Sequence, residues 1–266
     1  MNIDMDVQVD NVIGYYGTTL KQMRVTMQKR GGELVALDAE GQLNGKAPLA
    51  VNLKREKGKR ILRAETGNAG DAFRLVGFYR QVQGGSATLL VDMDAGANDS
   101  KSGQLWAQDF EVVSDRVLDD VLSDQDAAAA FGQKRRQNRR GRITFNKLRA
   151  PFTVGSGQFV LQDAYMNGPT LGATMRGRVN FEQDTVDLGG TYVPLYGLNS
   201  ALGQIPILGN LLVGRQGEGI VGITFAIKGS LSDPAVLVNP MSVVAPGIFR
   251  QIFEFQGQPP GAGAQR

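Results

Sequence analysis

The N-terminal residues alternate strictly between apolar and polar side chains. From position 3 to position 10, every odd position is Ile, Met or Val and every even position is Asp or Gln. A period of two is typical of a β-strand with one dry and one wet face. The alternation recurs at 20–28, 33–40, 47–54 and 59–65, with turn signals such as Gly31-Gly32 and Asn44-Gly45 between the segments. This pattern predicts a meander of antiparallel strands.

The rest of the chain continues the pattern with a few helical interruptions. Further strands are predicted at 86–93, 103–113, 142–148, 152–153, 157–162, 168–181, 185–192 and 220–229. Helical spacing is expected near 71–79, 115–131 and 241–255. The sequence therefore predicts a mainly β fold, a long antiparallel sheet with a few short helices capping it. We expect one domain over 1–256 and a disordered Gly/Pro/Gln-rich tail over 257–266.

One set of apolar residues forms the predicted dry face of this sheet. Its members are Met5, Val7, Val9, Met23, Val25, Met27, Leu49, Val51, Leu53, Leu89, Val91, Met93, Ile223, Phe225 and Ile227. Patterning alone favours the packed core of a closed sandwich or barrel. The alternative is an open groove that holds acyl chains, because few helices are available as a second layer and Met suits a disordered ligand.

Two apolar segments near the C-terminus form a second candidate site, the caps. Their apolar residues are Ile205, Ile207, Leu208, Leu211, Leu212, Ile248, Phe249, Ile252 and Phe253. Pro residues interrupt both segments, and Pro cannot donate a hydrogen bond to a sheet. We expect the caps either to plug the end of the sheet or, with the flanking Arg215 and Arg250, to face a membrane or a partner protein.

A dense basic run is the third candidate. Its cationic residues include Lys134, Arg135, Arg136, Arg139 and Arg140. The run is interpreted as a solvated loop or as a contact for anionic lipid head groups. Nucleic acid is not expected as a partner, since no aromatic residue is interleaved.

Composition limits the chemistry that the chain can perform. The 266 residues include no cysteine and no histidine, which excludes thiol nucleophiles, His-dependent triads and most zinc sites. The carboxylate pair Asp92/Asp94 is explained by alternation on a strand. The formal charge of +3 is a mild excess. We therefore expect no enzyme activity, no cofactor and no metal.

Several ordered motifs in the last quarter of the chain carry a family resemblance. They are Val193-Pro194 with Leu198-Asn199, the Ile-Pro-Ile-Leu-Gly run at 205–209, the Gly-Ser-Leu-Ser-Asp-Pro turn at 229–234, and the stretch from Asn239 to Arg250. This region resembles the C-terminal region of the AsmA-like proteins, a family of bridge-like lipid transporters in the bacterial envelope. Weaker similarities upstream extend the resemblance over most of the chain.

The resemblance implies a function for the predicted sheet. In AsmA-like proteins a long β-sheet curls into an apolar groove, open on one side, that is taken to conduct phospholipid between the inner and outer membranes. It implies a periplasmic location in a Gram-negative envelope, with an inner-membrane anchor upstream of this chain, and phospholipid or another acyl lipid and a membrane surface as partners. The alternative is a structural module that docks another envelope protein through a sheet edge or the caps.

Overall fold

The computed structural model describes residues 2–94, 100–116, 141–169, 171–194 and 220–244; for 194, 220–223 and 239–244 only the backbone is described. The chain divides into two compact units. The first consists of Met1–Val113 and Pro151–Ser156, and the second consists of Ser114–Ala150 and Gly157–Arg266.

The first unit contains long strands that follow each other along the chain. They are β1 (Ile3–Ile13), β2 (Thr19–Arg30), β3 (Glu33–Leu43), β4 (Ala47–Glu56), β5 (Lys59–Thr66), β6 (Val82–Asp92) and β7 (Lys101–Val113). A 3₁₀ turn (Tyr15–Gly17) joins β1 to β2, and α1 (Ala69–Leu75) lies between β5 and β6. Asn68 caps α1, because its side chain accepts a hydrogen bond of 3.0 Å from the Asp71 N–H.

The remaining strands continue the same order. They are β8 (Arg142–Gly155), β9 (Gln158–Asn167), β10 (Leu171–Asn180), β11 (Thr185–Pro194), β12 (Ile220–Ser230) and β13 (Pro234–Val244). Together the described strands form one antiparallel sheet of 13 strands in chain order, which begins at β1 and ends at β13 without closing. The prediction of a mainly β, antiparallel fold is confirmed.

Two predicted strand boundaries and one predicted cap need correction. The segments 142–148 and 152–153 belong to the single strand β8. Residues 241–244, predicted to begin a helix, belong to β13. Pro240 is tolerated there for two reasons. β13 is a terminal strand of the sheet, and its register with β12 shifts between Gly222 and Thr224, opposite Pro240.

Helices are fewer in the described residues than the sequence pattern indicates. The helix predicted near 71–79 corresponds to α1, which begins two residues earlier and ends at Leu75. Residues 117–131 and 245–255 lie outside the described residues, as does the tail 257–266. Among the described helices, none combines the length and apolar character that a membrane crossing requires.

Glycines allow close packing within the second unit. A Cβ on Gly190 of β11 would overlap the Thr174 carbonyl oxygen and lie 2.6 Å from Cζ of Phe225, so the Phe225 ring covers this glycine. At the neighbouring Gly189, the nearest atom to an added Cβ would be the Phe225 carbonyl oxygen at 3.7 Å. The two adjacent glycines therefore have different packing constraints.

Gly190→Ala should lower the free energy of unfolding by about 1–3 kcal/mol, because the added methyl group must displace main-chain and ring atoms. Gly189→Ala is the matched control and should change it by less than about 1 kcal/mol. Urea unfolding followed by circular dichroism measures both. Equal stabilities of the two variants would contradict the close packing at Gly190.

Candidate functional site

The strand register of the first unit brings apolar residues from seven strands onto one side of the sheet. Residues directly opposite each other in antiparallel strands point to the same side. The central row of opposite residues is Val7, Val25, Ala39, Val51, Ala64, Leu89 and Leu105. The apolar alternation within each strand therefore becomes a continuous apolar surface across β1–β7.

Two further rows flank the central one. One is Met5, Met27, Leu37, Leu53, Leu62, Val91 and Gly103. The other is Val9, Met23, Gly41, Leu49, Thr66, Ala87 and Ala107. In this row the pairing of β2 with β3 shifts between Lys21 and Arg24, next to Gly41. We call these three rows the apolar face.

The apolar face includes every residue of β1, β2, β4 and β6 that the sequence proposed as a groove residue. Met93 follows directly after β6, where its N–H donates to the Arg60 carbonyl at 2.8 Å. The predicted groove residues left out β3, β5 and β7, although in β5 Leu62 and Ala64 alternate with Arg63 and Glu65. Their role in binding stays a prediction.

Exposure varies across the apolar face. Met5 is 38% exposed, and Val25 and Val51 are half-buried. Toward β7 the side chains become buried, with Ala107 only 2% exposed. There Phe152 of β8 lies over Gly103, whose Cβ position it would overlap. The face residues of β1–β4 other than Leu53 thus retain accessible surface, whereas aromatic packing covers part of β7.

The opposite side of the same strands is polar. Arg30 pairs with Asp4 at 2.6 Å, and Arg63 pairs with Glu65 at 3.2 Å. Arg24 and Glu40 approach within 4.0 Å on neighbouring strands. The first unit therefore has one wet face and one dry face, as the alternation predicted.

Arg60 lies at one end of the apolar face, on the side of the sheet that Leu62 and Ala64 occupy. Its guanidinium contacts Asp94 at 2.6 Å, Glu33 at 3.2 Å and the Leu34 carbonyl at 3.0 Å. Since β4 lies between β3 and β5, the side chain crosses β4, where Leu53 is only 2% exposed. Arg60 thus bounds the apolar face at the strand ends opposite α1.

The second unit has its own apolar side. The register places Phe225 opposite Gly190 and Ile227 opposite Leu188, and it places the backbone of Ile223 opposite Tyr192. Tyr192 is 3% exposed, and its ring centroid lies 6.5 Å from that of Phe225. The three groove residues proposed for β12 are therefore in a different unit from those of β1–β6, on strands where large aromatic rings pack.

Two predicted sites fall outside the described residues. These are the caps (Ile205, Ile207, Leu208, Leu211, Leu212, Ile248, Phe249, Ile252 and Phe253) and the basic run (Lys134, Arg135, Arg136, Arg139 and Arg140). They stay predictions.

Polar chemistry is sparse in the part of the chain that the structure describes. No group of three or more carboxylates there is arranged to hold a metal ion. Asp92 pairs with Lys59 at 2.7 Å, and Asp94 pairs with Arg60. The two carboxylates proposed from sequence as a pair are thus held by separate cations at the strand ends.

Comparisons of the chain with protein-family models, with curated proteins and with solved structures give no match.

Hydrogen bonds from the Arg60 main-chain N–H and guanidinium lower the pKa of Asp94. Because this pKa lies below the value of about 3.9 for an unfolded Asp, the interaction stabilises the fold above about pH 4. Its contribution is lost as the pH falls through the folded-state pKa. Asp94→Asn should therefore lower the unfolding temperature near neutral pH, and this difference from the parent chain should narrow as the pH falls below about 4.

Thermal unfolding of the parent and variant between about pH 7 and about pH 3 measures this effect. Asp38→Asn, on the polar side of β3, is the matched control, because Asp38 has no ion pair among the described residues. A deficit in Asp94→Asn that is unchanged across this range would show that the carboxylate charge is unimportant.

Proposed function

We propose that this protein is a non-enzymatic lipid-handling protein of the cell envelope, and that the apolar face of β1–β7 holds the acyl chains of phospholipid or another acyl lipid. The observation that carries the proposal is the continuity of the apolar face. Three rows of positions, apolar except for Thr66, cross seven hydrogen-bonded strands, and the face residues of β1–β4 other than Leu53 keep accessible surface.

The dimensions of the apolar face suit an acyl chain. Adjacent strands lie about 4.8 Å apart, so the three intervals from β1 to β4, where the face keeps accessible surface, span about 14 Å along the sheet. The hydrocarbon core of a bilayer is about 30 Å thick. One layer of acyl chains takes up about half of that thickness. The first unit therefore offers enough contiguous apolar surface to take an acyl chain out of water.

The proposed mechanism is passive. Each methylene that moves from water onto apolar surface contributes about 0.8 kcal/mol, and this binding does not depend on the chemical identity of the head group. The acyl chains lie against the apolar face while the head group stays in water. No cofactor is needed.

The sequence motifs give the proposal its cellular setting. The resemblance to the AsmA-like family supports phospholipid transport between inner and outer membranes as the process, and the periplasm as the place. The curled, groove-like form of the sheet belongs to the same proposal.

A docking module is the second candidate function. β1 is a terminal strand of the sheet, so one of its edges has no partner among the described strands. A strand of another envelope protein would add there. However, β1 carries Asp4, Asp6 and Asp10, and charged side chains on an edge strand disfavour indiscriminate pairing.

Val51→Asp should abolish retention of acyl lipid by the purified protein, because Val51 lies in the central row of the apolar face and an ionised carboxylate there disfavours contact with acyl chains. Val51 is half-buried, so the cost to stability should be about 1–2 kcal/mol and the protein should remain folded. Native mass spectrometry with lipid extraction measures retention, and circular dichroism measures folding.

Asn52→Asp is the matched control, because its neighbouring position places the same charge on the opposite side of β4. This variant should retain lipid like the parent chain. A parent chain that purifies folded and free of lipid, and takes up none from phosphatidylethanolamine vesicles, would argue against the proposal and favour the docking module. If the Val51→Asp variant unfolds, the apolar face is a packed core and not a surface that is open to lipid.

A further inference from the structure

Large apolar side chains are exposed together at one end of the first unit. We call this group the tip; it consists of Ile13, Tyr15, Tyr16, Val76 and Phe78. They are 78%, 66%, 57%, 65% and 62% exposed, respectively. The apolar face does not include them, since they lie in and beside the connections between β1 and β2 and between β5 and β6.

Contacts hold the two connections of the tip together. The Tyr15 ring packs on Gly77, where an added Cβ would lie 3.1 Å from Cγ of the ring, and Gly14 packs against Leu75 in the same way. The rings of Phe73 and Phe78 meet edge to face with centroids 5.5 Å apart. The tip is thus a defined surface of the first unit.

The tip residues are not needed to cover the core beneath them. Leu43 and Val82, at the same end of the sheet, are 0% and 4% exposed, so the local core is complete without the tip. Tyr16 has a φ of 53°, a left-handed conformation that is uncommon for an aromatic residue, and its side chain is exposed. Clustered exposed apolar residues mark interaction surfaces.

Cations outnumber acids in the connections at this end of the first unit. The β1–β2, β3–β4 and β5–β6 connections, 14–18, 44–46 and 67–81, contain Lys46, Arg74 and Arg80 and a single acid, Asp71. Arg74 pairs with that acid at 2.5 Å, whereas Lys46 and Arg80 are exposed. Lys21 adds a further charge next to the 44–46 turn, because its Nζ lies 3.7 Å from the Cβ position of Gly45.

We propose that the tip inserts into the head-group region of a membrane that contains anionic lipid. Tyr side chains have an apolar ring and a polar hydroxyl, which suits the boundary between acyl chains and water. The aliphatic and Phe side chains enter the acyl boundary, and the exposed cations contact anionic head groups. This site is separate from the apolar face, and its existence does not require that the face carries lipid.

A single environment-sensitive fluorophore tests the proposal. Since the chain has no cysteine, Phe78→Cys provides one labelling site. With a nitrobenzoxadiazole dye at this position, vesicles of phosphatidylcholine and phosphatidylglycerol should shift the emission to shorter wavelength and increase its intensity. Phe181→Cys in the second unit is the matched control, because Phe181 is 57% exposed, and its dye should respond less.

A double variant tests the tip without a label. Tyr16→Asn with Val76→Thr should weaken partitioning into the same vesicles roughly tenfold, the loss expected when two side chains no longer bury apolar surface. Asn tolerates the left-handed conformation and Thr preserves the shape of Val, so circular dichroism should show an unchanged fold.

Three results would overturn the proposal: no response of the dye at position 78, an equal response at position 181, or unchanged partitioning of the double variant. A tip that captures a protein but gives no response with vesicles would also overturn it. Val51→Asp changes the apolar face alone and separates the two proposals. If this variant loses lipid retention but the dye at position 78 still responds to vesicles, the tip binds membranes independently of the apolar face.

Discussion

The cross-strand register is the constraint on which the first unit depends. With a side-chain period of two, a slip of one residue between two strands would move all apolar residues of one strand to the wet side. The pairs Val7–Val25, Ala39–Val51 and Ala64–Leu89 show that the register keeps the same side dry across six strands. The pairing of β2 with β3 shifts at two places, but between them the apolar residues of both strands stay on the same side of the sheet.

Local packing then gives different parts of the sheet different accessibility. Where a glycine lies opposite or beside an aromatic residue, as in Gly103 with Phe152 or Gly190 with Phe225, the ring occupies the space of the missing side chain. In β1–β4 most aliphatic residues of the apolar face stay half-buried, whereas Leu53, beneath the crossing Arg60 side chain, is 2% exposed. Both a ring over a glycine and a long side chain across a strand therefore close parts of the sheet.

Strand identity could be predicted from sequence because each strand of the first unit carries its own alternation. The chain alternates most strictly in β1, β2 and β4, and these strands were predicted closely. Residues 241–244, the end of β13, were predicted to begin a helix because the nearby prolines indicate a break in the sheet, whereas a terminal strand tolerates proline. The apolar face itself required the register, which depends on hydrogen bonds between strands and has no signature in any single segment.

Arg60 and the tip were missed for a related reason. Arg60 was seen only as part of a short, charged strand, and its position across β4 depends on acceptors that come from β3 and from the residues after β6. The adjacent pair Tyr15 and Tyr16 is far from Phe78 in sequence, and no common period links them. Only the contact between the β1–β2 and β5–β6 connections brings them together.

If the apolar face binds lipid as proposed, its aliphatic composition determines how the lipid moves along it. Contact between methylene groups and Val, Leu or Met is non-directional, so a bound acyl chain gains nearly the same free energy at neighbouring positions of the apolar face. Polar anchors within the face would instead create one preferred position and slow movement along it. The ion pairs Arg30–Asp4 and Arg63–Glu65 lie on the opposite side of the sheet, and Arg60 lies at the boundary of the face, where it pairs with Glu33 and Asp94. Thr66 is the polar residue within the three rows, and it is uncharged. This separation leaves the interior of the face without a charged residue that would hold a head group in one place, as the proposed passive movement of lipid requires.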